Sequence, residues 1–163
     1  MASRVVSAED LDKPIVGKKS VSARNDGTMK TVIDTGESGT IVTDEPIPHG
    51  GTGTGPSPLQ TVLGALCGCE GVTFNRTAEE FEFAYEGIEF KGSFTIDIRG
   101  RMGNRAVRPH FQTVRLEARV FTSESEERLR EVVEETEARC PVFNLISDAG
   151  VKIETLWIRE EID

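Results

Sequence analysis

The sequence predicts an α+β fold in which antiparallel sheets surround one long central helix. Three observations predict it. Short alternating runs with turn signals occupy residues 20–43. An apolar helical period runs from Pro58 to about residue 80. Two long stretches of near-strict alternation then follow, at residues 88–102 and 111–122.

Each element has its own local reason. Ser20-Val-Ser-Ala-Arg24 alternates and enters Asn25-Asp26-Gly27, a hairpin signal because these residues tolerate positive φ. Met29-Lys-Thr-Val-Ile33 is the return strand. Gly39-Thr-Ile-Val-Thr43 is a third, closing at Asp44-Glu-Pro46. Residues 46–56 are rich in Pro and Gly and read as a loop.

Ser57 before Pro58 starts a helix. Serine can cap, and proline at the first helical position loses no needed hydrogen bond. Leu59, Val62, Leu63, Leu66, Cys69 and Thr73 define its apolar face. Gly64, Gly68 and Gly71 lower its intrinsic propensity, which points to a buried helix that a sheet or partner approaches closely.

In the next segment Phe94, Ile96 and Ile98 alternate with Thr95, Asp97 and Arg99. In the one after it, Val114, Leu116, Ala118 and Val120 alternate with Arg115, Glu117 and Arg119. Each reads as a half-buried antiparallel strand, and the basic link at 100–109 reads as a hairpin end. Ser123 with Glu126 forms a capping box for a second helix, striped by Leu129, Val132, Val133 and Thr136. Pro141 ends it, because proline removes a donor and clashes with the preceding turn. A short helix from Pro141 to Asp148 and a strand over 151–158 complete the chain.

The 163 residues read as one domain, 18–163, behind a polar arm at 1–17. A net charge of -9 repels phosphate backbones and argues against nucleic-acid binding. No apolar run reaches the ~20 residues of a membrane span. The N-terminus lacks a secretory core, and three cysteines are too few and odd for a disulfide framework, so the expected compartment is the cytoplasm.

The cysteines carry the chemistry. Cys67 and Cys69 point about 160° apart on a helix, so only one can belong to a site on the apolar face. That one is Cys69, with Cys67 directed away. Cys140 stands before Pro141 at an N-cap position, where free N–H groups and the helix dipole favour thiolate. Cys69 lies about three turns into its helix, where the dipole has faded, so as a nucleophile it needs a nearby cation. Taken singly, each cysteine is better explained as core filling. A zinc site with His49 or His110 is disfavoured, because Cys-Gly-Cys on a helix is not the usual chelating turn.

Gly50-Gly51, then Gly55-Pro-Ser-Pro58, Ala65-Leu-Cys-Gly-Cys69 and Cys140-Pro-Val-Phe-Asn-Leu145 resemble the OsmC and organic hydroperoxide resistance family over residues 20–158. Thr43-Asp-Glu-Pro46 with Gly50-Gly51 resembles its OsmC-like branch in particular. The resemblance implies the OsmC-like fold and an intertwined homodimer with two active sites at the subunit interface. It implies a thiol-dependent peroxidase acting on organic hydroperoxides, with no cofactor and no metal. Cys69 would be the peroxidatic thiol, Cys140 the resolving one, and Arg24 the cation beside Cys69. A dithiol, lipoylated protein in some members, would restore the reduced state. One departure stands out. The family's glutamate directly follows this proline, where the chain has Leu59 and then uncharged Gln60. Glu45 in the preceding loop is the available replacement. The alternative is therefore a non-catalytic small-molecule-binding or structural protein of the same fold, with vestigial thiols.

Overall fold

The computed structural model describes residues 11–162. Residues 1–10 of the expected polar arm lie outside that range; residues 11–17 are exposed. The chain forms two compact units that divide between Ser57 and Pro58.

The first unit contains β1 (Ser22–Asn25), β2 (Thr31–Asp34) and β3 (Thr40–Thr43), an antiparallel sheet in that order. The β1–β2 turn is built as its residues demand. Asn25 Oδ1 accepts from Gly27 N, Asp26 Oδ1 accepts from Thr28 N, and Gly27 has φ 87.

Beyond β3 the loop is organised by one buried carboxylate. Asp44 accepts from Thr52 Oγ1 at 2.6 Å, Thr54 Oγ1 at 3.0 Å, and the amides of Glu45, Thr52 and Thr54. A side chain on Gly51 would meet the Glu45 carbonyl at 1.8 Å, so only glycine fits there. The Thr52 hydroxyl foremost, then the Thr54 amide, holds the Asp44 pKa well below the usual carboxylate value.

The second unit runs through α1 (Pro58–Glu80), β4 (Gly87–Ile96), α2 (Ile98–Arg101), β5 (Phe111–Thr122), α3 (Glu126–Arg139), α4 (Pro141–Asp148) and β6 (Lys152–Glu161). Its sheet has the order β4-β5-β6. β4 pairs antiparallel with β5, and β6 joins parallel to β5 after the α3–α4 crossover. Alternation in the sequence cannot distinguish those two kinds of pairing.

The inner face of β5 is Phe111, Val114, Leu116, Ala118 and Val120, all buried. It joins two apolar clusters. Leu66, Ile146 and Val151 fill one end of the unit; Phe74, Ala78, Phe83, Leu129 and Val132 fill the other. Phe74 stacks on Trp157 with centroids 5.4 Å apart and meets Phe83 and Tyr85 edge-on. Among the described residues, no helix is long and apolar enough to cross a membrane.

Three local expectations change. The strand expected over 88–102 stops at Ile96, because the Asp97 carboxylate caps α2 by accepting from Arg99 N. The second helix is capped by Ser125, which accepts from Arg128 N, and not by Ser123. The buried face of α1 is rotated from the expected one. Leu66, Glu70, Thr73, Phe74, Thr77 and Ala78 are buried, whereas Val62 is exposed. Gly64 and Gly68 face open space. Between α1 and the sheet a tight approach comes instead at Gly92 on β4, where a Cβ would lie 3.2 Å from the Leu63 side chain of α1.

Replacing Phe74, fully buried among three other aromatic rings, with alanine is expected to destabilise the protein by about 3–5 kcal/mol. Urea titration followed by tryptophan fluorescence and circular dichroism measures this, and a loss well under about 1 kcal/mol would contradict the packing described.

Candidate active site

The site is built where α1 packs on α3 and α4. Cys140 ends α3 and begins α4, with φ -71 and ψ 112. Its N–H still donates to Thr136 O at 2.9 Å, and its Sγ accepts from Phe143 N at 3.5 Å. Asn144 locks the corner. Its side-chain amide donates to the carbonyls of Glu137, Ala138 and Cys140, leaving the last turn of α3 and the Cys140 peptide little freedom. The Cys140 side chain is fully buried and faces two groups on α1, Cys69 and Glu70. The described residues contain three cysteines, all free thiols.

The sequence expects the helix cap to favour the Cys140 thiolate. The cap is present, but its effect is overridden. Burial raises the Cys140 pKa most, and the neighbouring Cys69 and Glu70 raise it further. The Phe143 amide opposes them and loses. One backbone donor offsets only part of what full desolvation of a thiolate costs.

Cys67 also departs from expectation. Expected away from the apolar face of α1, it packs half-buried against the apolar cluster around Leu66. Its pKa is raised, mainly by burial and less by the Glu70 charge. A desolvated thiol of this kind is a poor source of thiolate.

Glu70 is the residue the sequence reading passed over. It is fully buried on the innermost face of α1, and neither carboxylate oxygen has a hydrogen bond of good geometry. The Cys140 thiol is near enough to favour its ionised form slightly. Burial dominates and pushes the Glu70 pKa up to about 7, with the charge of Glu137 adding to the rise. Glu137 is itself fixed by Trp157 Nε1, which donates to it at 2.9 Å. The signal was available: a glutamate four residues after Leu66 and four before Phe74 falls on the apolar stripe.

The other expected residues are placed as follows. Arg24 is exposed on β1 in the first unit, opposite Val32. Leu59 packs against the apolar cluster around Leu66. Glu45 belongs to the Asp44 loop, its amide donating to the Asp44 carboxylate. His49 lies in that loop, and His110 sits beside the Phe111 carbonyl. No group of three or more His, Cys, Asp or Glu side chains among the described residues could hold a metal ion.

A strand meander, a long helix with one buried face, and a mixed sheet completed by a helical crossover define an OsmC-like α+β architecture. The OsmC-like protein family model matches residues 51–156, so the chain belongs to that family. Solved structures agree at the level of the fold. An OsmC-like protein from Mycoplasma pneumoniae superposes with a TM-score of 0.75 at 16% identity, covering 91% of this chain and 100% of that one. The organic hydroperoxide resistance protein OsmC from Legionella pneumophila gives 0.66 at 15% identity, covering 89% and 99%. An organic hydroperoxide resistance protein from Elizabethkingia anophelis gives 0.69 at 11% identity, covering 91% and 100%. No curated protein matches the chain in sequence.

The raised Glu70 pKa has a consequence for stability. Between its ordinary value of 4.5 and about 7, the folded state holds a proton that the unfolded state releases. Stability therefore falls as pH rises through that window. Glu70→Gln removes this dependence, so the variant is expected to gain about 3 kcal/mol on the natural protein between roughly pH 4.5 and pH 8. Parallel denaturation curves measured across that range, with a constant difference between the two proteins, would contradict the burial of an ionisable Glu70.

Proposed function

We propose that this OsmC-like protein is a thiol-dependent peroxidase that reduces organic hydroperoxides in the cytoplasm. The single observation that carries the reading is the Cys140 thiol facing Cys69 inside one unit, with the apolar residues Leu59, Leu63 and Leu66 on the same helix. A core needs no such pair of thiols. A two-cysteine peroxidase needs both within reach of each other.

The steps follow from thiol chemistry. The Cys69 thiolate attacks the outer peroxide oxygen, the O–O bond breaks, and the alkoxide leaves as alcohol after taking a proton. Cys69 becomes a sulfenic acid. The Cys140 sulfur then attacks the Cys69 sulfur, displacing hydroxide as water and forming a disulfide. Two electrons from an external dithiol, of which a lipoylated protein is one form, return both thiols. Arg24 is assigned the role of cation for Cys69 on the sequence resemblance, since α1 offers Cys69 no dipole of its own at that depth.

An intertwined homodimer is part of the same proposal. It is supported by the outward face of α1, where Val62 and Val72 are 44% and 56% exposed with exposed Ala65 and Gly68 between them. The second reading, a binding protein with vestigial thiols, is favoured by one observation. Apolar Leu59 stands where the family resemblance expects a glutamate.

Cumene hydroperoxide separates the two readings. Reduced protein is expected to lose two thiols per chain, with Cys67 kept. Cys140→Ser is expected to stop at a dimedone-trappable sulfenic acid on Cys69, and Cys69→Ser to react no faster than a free thiol. Arg24→Ala should slow the first step by on the order of 10²-fold. Thiols that survive a large excess of peroxide would leave the binding reading standing.

A further inference from the structure

We propose that Glu70 is the proton acceptor for Cys140 when the two thiols close into a disulfide, and so a catalytic residue of the second half of the cycle. The assignment rests on the thiol pairing proposed above, but on none of the family's own residues.

Three observations carry it. Glu70 is 0% exposed, and neither of its oxygens has a formed hydrogen bond. An orphan carboxyl in a core is destabilising, and a glutamine or leucine at this position would be cheaper. It adjoins Cys69 in sequence, and it faces the Cys140 thiol across the α1–α4 contact. Cys140 is also fully buried, with its pKa raised, so it holds its proton at neutral pH and cannot attack until a base removes it. A base buried beside it, with no competing donor, is the group this step lacks otherwise.

The balance closes without further reagents. The Cys140 S–H bond breaks and its proton passes to a Glu70 oxygen. The sulfur lone pair forms the S–S bond to Cys69 as the Cys69 S–O bond breaks. The departing hydroxide takes the proton back from Glu70 and leaves as water, so Glu70 ends as a carboxylate. The electrons came from the two thiols, and the oxidant was the peroxide.

The titratable groups facing Glu70 are Cys140 at the α3–α4 corner, Glu137 on α3, and Cys67 on its own helix, with Cys69 its neighbour in sequence. Glu137 and burial keep Glu70 protonated below about 7. Protonated, it cannot accept. The disulfide step should therefore accelerate as pH rises through about 7 and then level.

The test is a single-turnover experiment with cumene hydroperoxide, quenched at intervals and read by mass spectrometry. It follows Cys69 sulfenic acid and the Cys69–Cys140 disulfide separately over roughly pH 5.5 to 9. Glu70→Gln is expected to slow disulfide closure at least tenfold relative to sulfenic acid formation and to erase the rise near neutral pH. Glu70→Asp, whose carboxylate is shorter, should recover part of the rate and keep a rise. A glutamine variant with the natural ratio of rates and the natural pH profile would overturn the assignment. A parallel arm uses diamide, which oxidises a dithiol with no peroxide. If peroxide yields no sulfenic acid, the peroxidase reading fails, and the same Glu70→Gln comparison in diamide still decides the role of Glu70. If neither oxidant joins Cys69 to Cys140, the assignment is overturned with the pairing.

Discussion

The second unit depends on one constraint: α1 turns a dry face to α3, α4 and β4, and that face contains a glutamate. Leu66, Phe74 and Ala78 make burial favourable, since apolar area removed from water is worth roughly 25 cal/mol per Å². Glu70 lies between them and cannot turn outward without exposing them. The helix therefore fixes a carboxyl against the Cys140 corner whatever its protonation state. The same rotation places Cys69 beside Cys140 and packs Cys67 half-buried against the Leu66 cluster.

Two buried carboxylates in this chain show how environment separates identical chemistry. Both Asp44 oxygens have donors, Oδ1 the Glu45 amide and Oδ2 the hydroxyls and amides of Thr52 and Thr54, and its pKa is driven down. It orders a loop and does nothing else that its surroundings suggest. Glu70 lacks such donors, and its pKa is driven up into the range where proton transfer at neutral pH is efficient. Cys140 shows a similar contest within one group. It has an N-cap donor, as its sequence context indicates, but desolvation outweighs one amide.

Most elements were legible because their signals are local. Asn25-Asp26-Gly27, Ser57-Pro58 and Cys140-Pro141 mark a turn and two helix starts by backbone chemistry alone. The alternation of β5 was equally plain, each inward residue from Val114 to Val120 being buried. What stayed hidden depends on the third dimension. The exact face of α1 is set by the helices across from it, so Val62 and Cys69 looked equivalent until α3 and α4 were in place. The early end of β4 came from a competition between an alternating pattern and the capping strength of Asp97, which alternation does not register. The thiol pair was readable as a motif. Its buried carboxyl was written on the apolar stripe, but it is easily dismissed as one more glutamate in an acidic chain.

The most direct measurement is a titration of the glutamate side-chain carboxyls by ¹³C NMR in the reduced protein. The structure requires one carboxyl that titrates near about 7, in place of the ordinary value of 4.5, and that resonance must vanish in Glu70→Gln. It should shift its midpoint in Cys140→Ser, where the hydroxyl is a better donor than the thiol. A protein in which every glutamate titrates between about 4 and 5 would contradict a buried, unpaired Glu70 and the chemistry built on it.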